Sequence, residues 1–136
     1  MADTIYALSS GAPPAGIGVI RISGPRAGEA LSRMANGLPP ARSPRLRIVR
    51  NGEGEALDQA LVMWFEGPNT ATGDDLAEIH CHGGRAVVAA LLAALSSIDG
   101  LREAEPGEFT RRAFSNGRID LAEAEGLADL LSAETE

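Results

Sequence analysis

The hydrophobic pattern of the chain changes its period at Gly83-Gly84, and this change restricts the possible folds more than any other feature. Residues 76–82 (LAEIHCH) have the length and composition of a β-strand, whereas apolar residues recur three and four positions apart in 85–97. The recurring residues define one face of a predicted helix and are Val87, Val88, Leu91, Leu92 and Leu95. Such a helix, placed directly after a strand, is typical of a β-sheet that is covered by helices.

The remaining segments repeat this mixture of strands and helices. Four further strands are predicted at residues 4–9, 17–23, 45–50 and 60–65. Three further helices are predicted at residues 26–35, at 106–114 and from Asp120 onward. We therefore expect an α/β (α+β) fold in which a mixed β-sheet is backed by helices. The last helix has an apolar stripe but no C-terminal stop signal, so we also expect the natural protein to continue beyond it.

The charge of the chain excludes several classes of function. Its 136 residues include no lysine, and twelve arginines against nineteen acidic residues give a net charge of −7. A Walker A phosphate loop and Schiff-base catalysis by lysine are therefore both excluded. An isolated domain this acidic is also a poor binder of nucleic acid, because neutralisation of phosphates supplies much of that affinity.

Three local features predict the cellular compartment. The first ten residues lack the basic and apolar regions of a signal peptide. The longest apolar run, residues 86–95, is too short to cross a bilayer. The single cysteine, Cys81, has no partner for an internal disulfide. We therefore expect a cytoplasmic protein without a membrane partner.

The strand at 76–82 carries the side chains with the most varied chemistry. Because side chains alternate along a strand, Glu78, His80 and His82 share one face and Cys81 lies on the other, which argues against a cysteine–histidine nucleophile. The two histidines could share a metal ion, but zinc requires a third ligand and no partner motif is recognisable. Catalysis by a histidine is a second possibility. Packing or structural hydrogen bonding is the favoured interpretation, and Cys81 is interpreted as a small core residue.

Two charged residues lie within predicted strands and need partners. Burying an unpaired carboxylate is costly, so Glu78 is expected either to form a salt bridge or to accept two adjacent N–H groups of a ligand. Arg21 can reach solvent, pair with Glu78, or hold an oxygen of a ligand. Arg118, in the turn NGRID, is by itself an ordinary exposed arginine. The arginines of residues 42–50 are interpreted as the solvated side of a strand.

Six segments of the chain form an ordered set of motifs. They are DTI (3–5), GIGVIRISG (16–24), PNTATGDD (68–75), HCHGG (80–84), PGEFTRRAF (106–114) and NGRIDLAEAEGLADLL (116–131). Together they resemble the N-terminal part of the bacterial tRNA-modification GTPases of the MnmE (TrmE) family, from Asp3 to about Ala133. The resemblance implies a domain at residues 1–118, followed at 119–136 by the first helix of a truncated helical domain.

The resemblance also implies a function. In this family the N-terminal domain binds a reduced folate, 5-formyltetrahydrofolate, forms a homodimer, and is similar to the folate-binding domains of one-carbon enzymes. GTP, magnesium and potassium belong to a G domain that this chain lacks, so we expect the chain alone to be non-catalytic. The whole protein is expected to hydrolyse GTP and to act with the flavoprotein MnmG (GidA) on tRNA. The implied product carries a carboxymethylaminomethyl or aminomethyl group at C5 of the wobble uridine.

The family's folate contacts fall on Arg21, Glu78 and Arg118 of this chain. No catalytic residue and no metal ligand is implied. A carboxylate suits the adjacent amino and ring N–H groups of the pterin, whereas arginines suit its carbonyl oxygen and the glutamate tail. Which arginine meets which oxygen stays open at this point.

Departures from the family pattern leave other functions to be weighed. The family commonly has lysine at Arg118, an aromatic residue at Ala71 and glutamate at Asp74. The main alternative is a structural dimerisation domain whose folate pocket is non-functional. A second alternative is a metal-dependent enzyme that uses His80 and His82.

Overall fold

The protein is described by a computed structural model over residues 3–120 and Ala122. In chain order its elements are β1 Thr4–Leu8, β2 Ile17–Ser23, α1 Ala27–Ala35, β3 Arg45–Arg50, β4 Ala56–Phe65, β5 Leu76–His82, α2 Arg85–Ser96, β6 Leu101–Glu103 and α3 Glu108–Ser115. The strands form one six-stranded sheet in the order β3-β4-β5-β2-β1-β6. Strands β1 and β6 are parallel and the other neighbours are antiparallel, so the predicted mixed sheet is confirmed.

Helices α1 and α2 cover one face of the sheet. Alternate residues of the central strands, such as Ile20 and Ile79, share one fully buried core with Leu31 of α1 and Leu91 of α2. Burial of apolar area is worth roughly 25 cal/mol per Å², which makes this layer the main source of stability. The apolar face predicted for α2 is the face that packs on the sheet. Val88, Leu91 and Leu95 are buried in the core, and Val87 and Leu92 are partly buried against it.

The opposite face, called the open face below, carries charged and apolar side chains together. Arg21 of β2 lies directly across from Glu78 of β5 in the antiparallel pair. Glu78 and the two histidines of β5 lie on this face and Cys81 lies in the core, as the alternation predicts. Four large side chains, called the apolar patch below, are exposed: Ile17, Leu46, Ile48 and Leu61. The patch lies toward one end of the open face, and Leu76 and Phe65 mark the other end.

Three elements depart most from the sequence prediction. Strand β6 was not predicted, because its three residues become a strand only through parallel pairing with β1. Strand β4 begins at Ala56 rather than at residue 60, since antiparallel pairing with β3 extends the hairpin to its turn. Helix α3 begins at Glu108 rather than at Pro106, because Gly107 has a left-handed conformation with φ of 76°.

The C-terminal predictions fall mostly beyond the described part of the chain. The helix predicted from Asp120 onward lies, apart from Ala122, outside the described residues. The division into domains after residue 118 stays a prediction. No helix in the described part is long and apolar enough to cross a membrane.

Candidate functional site

The loop of residues 66–75 joins β4 to β5 and forms one wall of the candidate site. Within the loop, the hydroxyl group of Thr70 donates a hydrogen bond of 2.5 Å to the carbonyl oxygen of Asp74. At the sheet, the hydroxyl oxygens of Thr72 and Ser23 are 2.7 Å apart. Thr70 and Thr72 are both buried. The loop therefore satisfies its polar groups by internal bonds and by bonds to β2, which gives it a defined shape.

Helix α3 and the turn after it hold the same loop from the other side. The side chains of Asn116 and Arg112 donate to the carboxylate of Asp74 at 3.2 Å and 3.4 Å. Arg118 Nε donates to the carbonyl oxygen of Thr70 at 2.9 Å. Arg112 is only 11% exposed, so its charge is held inside the structure by these acceptors. Residues 112–118 therefore position the loop as well as supplying Arg118.

A cleft of about 460 Å³ lies between this loop and the open face. Its lining residues are Arg42, Phe65, Asn69, Thr70, Ala71, Leu76, Glu78, Arg118 and Ile119. The walls include aromatic and aliphatic side chains, and a few charged groups converge on them. Apolar walls with a few convergent polar groups are typical of a site for a small organic molecule.

Glu78 is the acidic group of the cleft, and its carboxylate has partners on the protein. Arg21 donates to Oε2 from Nη2 at 2.7 Å and from Nε at 3.1 Å. The ring Nε2 of His80 lies 2.9 Å from Oε1. Burial by itself raises the pKa of Glu78, but the hydrogen bonds from His80 and Arg21 outweigh it and leave the pKa below its ordinary value. The carboxylate is therefore held ionised.

The salt-bridge interpretation of Glu78 is thus correct, and it limits how a ligand can bind there. A carboxylate offers about four lone-pair positions, and Arg21 and His80 supply three N–H donors. A ligand that presents two adjacent donors must share or displace one of these bonds. The antiparallel register sets Arg21 directly across from Glu78, so the carboxylate has a protein partner before any ligand binds.

Two of the three predicted contact residues line the cleft directly, and the third, Arg21, is bonded to one of them. Glu78 and Arg118 line the same cleft, from β5 and from the turn after α3. Arg21 is joined to the cleft through its bonds to Glu78, and a third of its side chain is exposed. Their role as folate contacts stays a prediction.

The histidines and the cysteine of β5 have structural partners. His80 bonds to Glu78, and the ring Nδ1 of His82 lies 2.7 Å from Oδ1 of Asp58 on β4. Cys81 is buried, and burial raises the pKa of its thiol. Within the described residues, no group of three or more histidine, cysteine, aspartate and glutamate side chains could hold a metal ion.

The cleft residues that sequence reasoning missed include Arg42 and Phe65. Arg42 was grouped with the strand arginines, but it precedes β3 and its guanidinium lies 5.6 Å from the centre of the Phe65 ring. The loop after Phe65 is long, and long loops on a rigid scaffold often carry function, but its composition alone did not establish a role for it. Nothing local to Arg42 distinguishes it from its neighbours, since its position depends on the end of β4.

Comparison with known proteins identifies the family. A family model described as GTP-binding protein TrmE N-terminus matches residues 4–118. The chain belongs to this family. The tRNA modification GTPase MnmE of Erythrobacter litoralis is 67% identical over 134 residues, which cover 98% of this chain and 32% of that protein. The protein of the same description from Novosphingobium aromaticivorans is 69% identical over 137 residues, covering 100% of this chain and 31% of that protein.

These matches confirm the resemblance that the six motifs indicated. The relatives are described as tRNA modification GTPases, and this chain spans about a third of their length. The TrmE N-terminal match includes β1 through α3 and ends at Arg118. The cleft therefore lies almost wholly within the family domain.

Proposed function

We propose that this chain is the folate-binding and dimerising N-terminal module of a tRNA-modification GTPase. The observation that carries the proposal is the cleft, in which an ionised carboxylate and two guanidinium groups converge on apolar walls. A reduced folate has matching groups: two adjacent N–H donors on the pterin, a flat ring system and an acidic tail. The ligand proposed is 5-formyltetrahydrofolate, and the contacts proposed are Arg21, Glu78 and Arg118.

The homodimer is proposed to form through the open face of the sheet. The apolar patch exposes 62% of Ile17 and 60% of Leu46 on the same face as the cleft. Exposed apolar side chains gathered on one face are typical of an interaction surface. A second copy of the chain would cover this patch and lie close to the cleft.

The activity proposed for the whole protein rests on the family to which the chain belongs. We propose that a longer protein containing this module hydrolyses GTP with magnesium and potassium bound to its G domain. It acts in the cytoplasm with the flavoprotein MnmG (GidA) on the wobble uridine of tRNA. Residues 1–118 supply folate and dimer contacts, residues 119–136 begin a helical domain, and this chain alone has no turnover.

Calorimetry with two ligands tests the proposal. Titration of the chain with 5-formyltetrahydrofolate is expected to give saturable binding, whereas titration with GTP is expected to give no heat of binding. Sedimentation at micromolar concentration is expected to give a dimer. GTP turnover by the isolated chain would contradict the assignment of that activity to the missing part.

A second candidate function is a structural dimerisation domain without folate. It is supported by the closed network around Glu78, whose carboxylate already has protein donors on both oxygens. This candidate predicts a dimer that fails to bind the folate. The same two measurements therefore separate the two functions.

A further inference from the structure

Arg42 is held at the cleft by its backbone. Its backbone N–H donates to the carbonyl oxygen of Trp64 at 2.7 Å, and Ala41 forms an isolated parallel bridge with the same residue. The φ angle of Arg42 is 61°, a left-handed conformation that costs roughly 1–2 kcal/mol for a residue with a side chain. Strained residues of this kind cluster at functional sites, so the position invites a functional explanation.

Arg42 and Arg118 bind neighbouring carbonyl oxygens of the same loop. Arg42 Nη2 donates to the carbonyl oxygen of Asn69, and Arg118 Nε donates to that of Thr70. Asn69 and Thr70 are consecutive residues, so the two guanidinium groups are tied to adjacent peptide units of one loop, and both line the cleft. Each guanidinium has five N–H donors, and these bonds use one from each.

The hydrogen-bond partners of these two arginines in the loop are neutral carbonyl oxygens. Within residues 3–119, neither guanidinium forms a salt bridge, whereas the carboxylate of Glu78 in the same cleft is bonded to Arg21. The chain as a whole has a net charge of −7, so this positive end of the cleft is a local exception. An anion that contacts both arginines would accept hydrogen bonds from donors that the loop carbonyls do not use.

We infer that Arg42 and Arg118 together bind the carboxylates of the ligand's glutamate tail. Glu78 receives the pterin end, and the Phe65 ring, already next to the Arg42 guanidinium, lies between the two ends. This inference rests on the proposed folate function and adds to it a residue, Arg42, and a direction for the bound ligand. It makes Arg42 a determinant of specificity for ligands with an acidic tail.

Two ligands and one substitution test the inference. The first ligand is 5-formyltetrahydrofolate, and the second is a 5-formyltetrahydropterin that lacks the benzoylglutamate part. Arg42→Gln is expected to weaken binding of the folate about 10- to 100-fold, as for loss of a charge-assisted hydrogen bond, and to leave binding of the pterin unchanged. Raising the salt concentration is expected to weaken folate binding to the original chain more than to the variant.

A matched control is available on the next strand. Arg45 is exposed and donates only to its neighbours Ser43 and Pro44, so Arg45→Gln removes the same charge without touching the cleft. It is expected to leave both affinities unchanged. Arg42→Lys, which keeps the charge, is expected to recover part of the folate affinity. Recovery in Arg42→Lys would show that the loss of affinity in Arg42→Gln comes from the missing charge and not from disturbance of the loop.

The possible outcomes are distinct. Equal loss of both ligands in Arg42→Gln would overturn the inference, because Arg42 would then act through the loop and not on the tail. Unchanged folate binding in Arg42→Gln would also overturn it while leaving the proposed function intact. Failure of the original chain to bind the folate would refute the proposed function, and the inference with it.

Discussion

Glu78 joins two requirements at a single side chain, burial and ionisation. Its side chain is 11% exposed, yet Arg21 and His80 keep the pKa of the carboxyl group below its ordinary value. A carboxylate already fixed in orientation accepts ligand donors without a further entropic cost of ordering. In the proposed site, the salt bridge is therefore a means of preorganisation for ligand binding, and the two interpretations of Glu78 are compatible.

Replacement of Glu78 by glutamine tests this double role. Glu78→Gln keeps the size of the side chain but replaces one acceptor oxygen with a donor that faces other donors. Calorimetry is expected to show folate affinity reduced roughly 30- to 1000-fold, equivalent to about 2–4 kcal/mol. The melting temperature is expected to fall as well, because Arg21 loses its ionised partner.

The control for this substitution is Glu66→Gln. Glu66 is exposed at the start of the loop of residues 66–75, so the same change in charge is expected to alter neither quantity. A lower melting temperature with unchanged folate affinity would assign Glu78 to the salt bridge alone.

Glu108 is expected to make stability depend on pH. Arg102 donates to its two carboxylate oxygens at 2.9 Å and 2.5 Å, and these hydrogen bonds lower the pKa of Glu108 despite the opposing effect of burial. Because the folded-state pKa lies below the ordinary value of 4.5, the stabilisation is complete above that value and is lost as the pH falls through the folded-state pKa. The loss is measured as the fall in the free energy of unfolding, from chemical denaturation at pH values from about 7 to about 3.

Substitution of Glu108 isolates its contribution. Glu108→Gln is expected to lower the free energy of unfolding at pH 7 by about 1–3 kcal/mol, and the difference from the original chain is expected to shrink at low pH. Glu53→Gln, in an exposed turn, is the control and is expected to leave stability at pH 7 unchanged. A constant difference at every pH would show that the charge of Glu108 is not the cause.

At the scale of elements, the site depends on the contact between α3 and the loop of residues 66–75. Asn116, at the C-terminal end of α3, donates to the carbonyl oxygen of Thr72 at 2.7 Å. Gly73 lies against it, and a Cβ atom added to Gly73 would come within 2.5 Å of the Cβ atom of Asn116. The helix and the loop can approach this closely only because residue 73 has no side chain.

The substitution Gly73→Ala tests this contact. It combines the cost of a left-handed residue, with φ of 85°, with a steric clash against Asn116. The melting temperature and the folate affinity are both expected to fall, since the clash moves the loop that carries Thr70 and Asn69. Gly54→Ala is a closely matched control, because Gly54 has φ of 84° and no atom within 4 Å of an added Cβ.

The comparison of these two alanine variants separates the two causes. The control is expected to lose roughly 1–2 kcal/mol of stability from its backbone conformation alone and to keep its folate affinity. Equal effects in the two variants would mean that the packing of the loop on α3 is not needed for the site.

At the scale of the whole molecule, the sheet has one covered face and one open face. The covered face forms the core with α1 and α2, whereas the open face exposes Ile17, Leu46, Ile48 and Leu61 beside the charged groups. This asymmetry explains why the proposed ligand and the proposed second copy use the same side of the domain. It also means that a substitution aimed at the proposed dimer does not touch the core.

Leu46→Glu is expected to dissociate the proposed dimer. Leu46 is 60% exposed, so a charge there costs little in the monomer but is buried when a second copy covers the patch. Sedimentation is expected to give a monomer. The melting temperature is expected to be nearly unchanged when it is compared at a concentration at which the original chain is also monomeric. Leu38→Glu is the control, since Leu38 is 46% exposed and lies shortly after α1, which covers the other face of the sheet. A dimer that survives Leu46→Glu would place the interface elsewhere.

Much of the fold was predictable because it depends on local sequence. The strands at 17–23, 45–50 and 76–82 were predicted with the residue boundaries that the structure has. Their β-branched and apolar composition favours strands before any long-range contact forms. The same reasoning assigned Glu78 to one face and Cys81 to the other, since alternation is a property of the backbone.

Long-range pairing decided the rest. The order of the strands and the existence of β6 depend on which strands become neighbours. The bond between Arg21 and Glu78 depends on it too, because these two residues lie far apart in the chain. Arg42 reaches the cleft only because the end of β4 holds its backbone. The sequence by itself determined the elements and the faces of their side chains, because local sterics and periodicity act within a few residues. Only the tertiary structure decided which charges meet, because that depends on the register between distant strands.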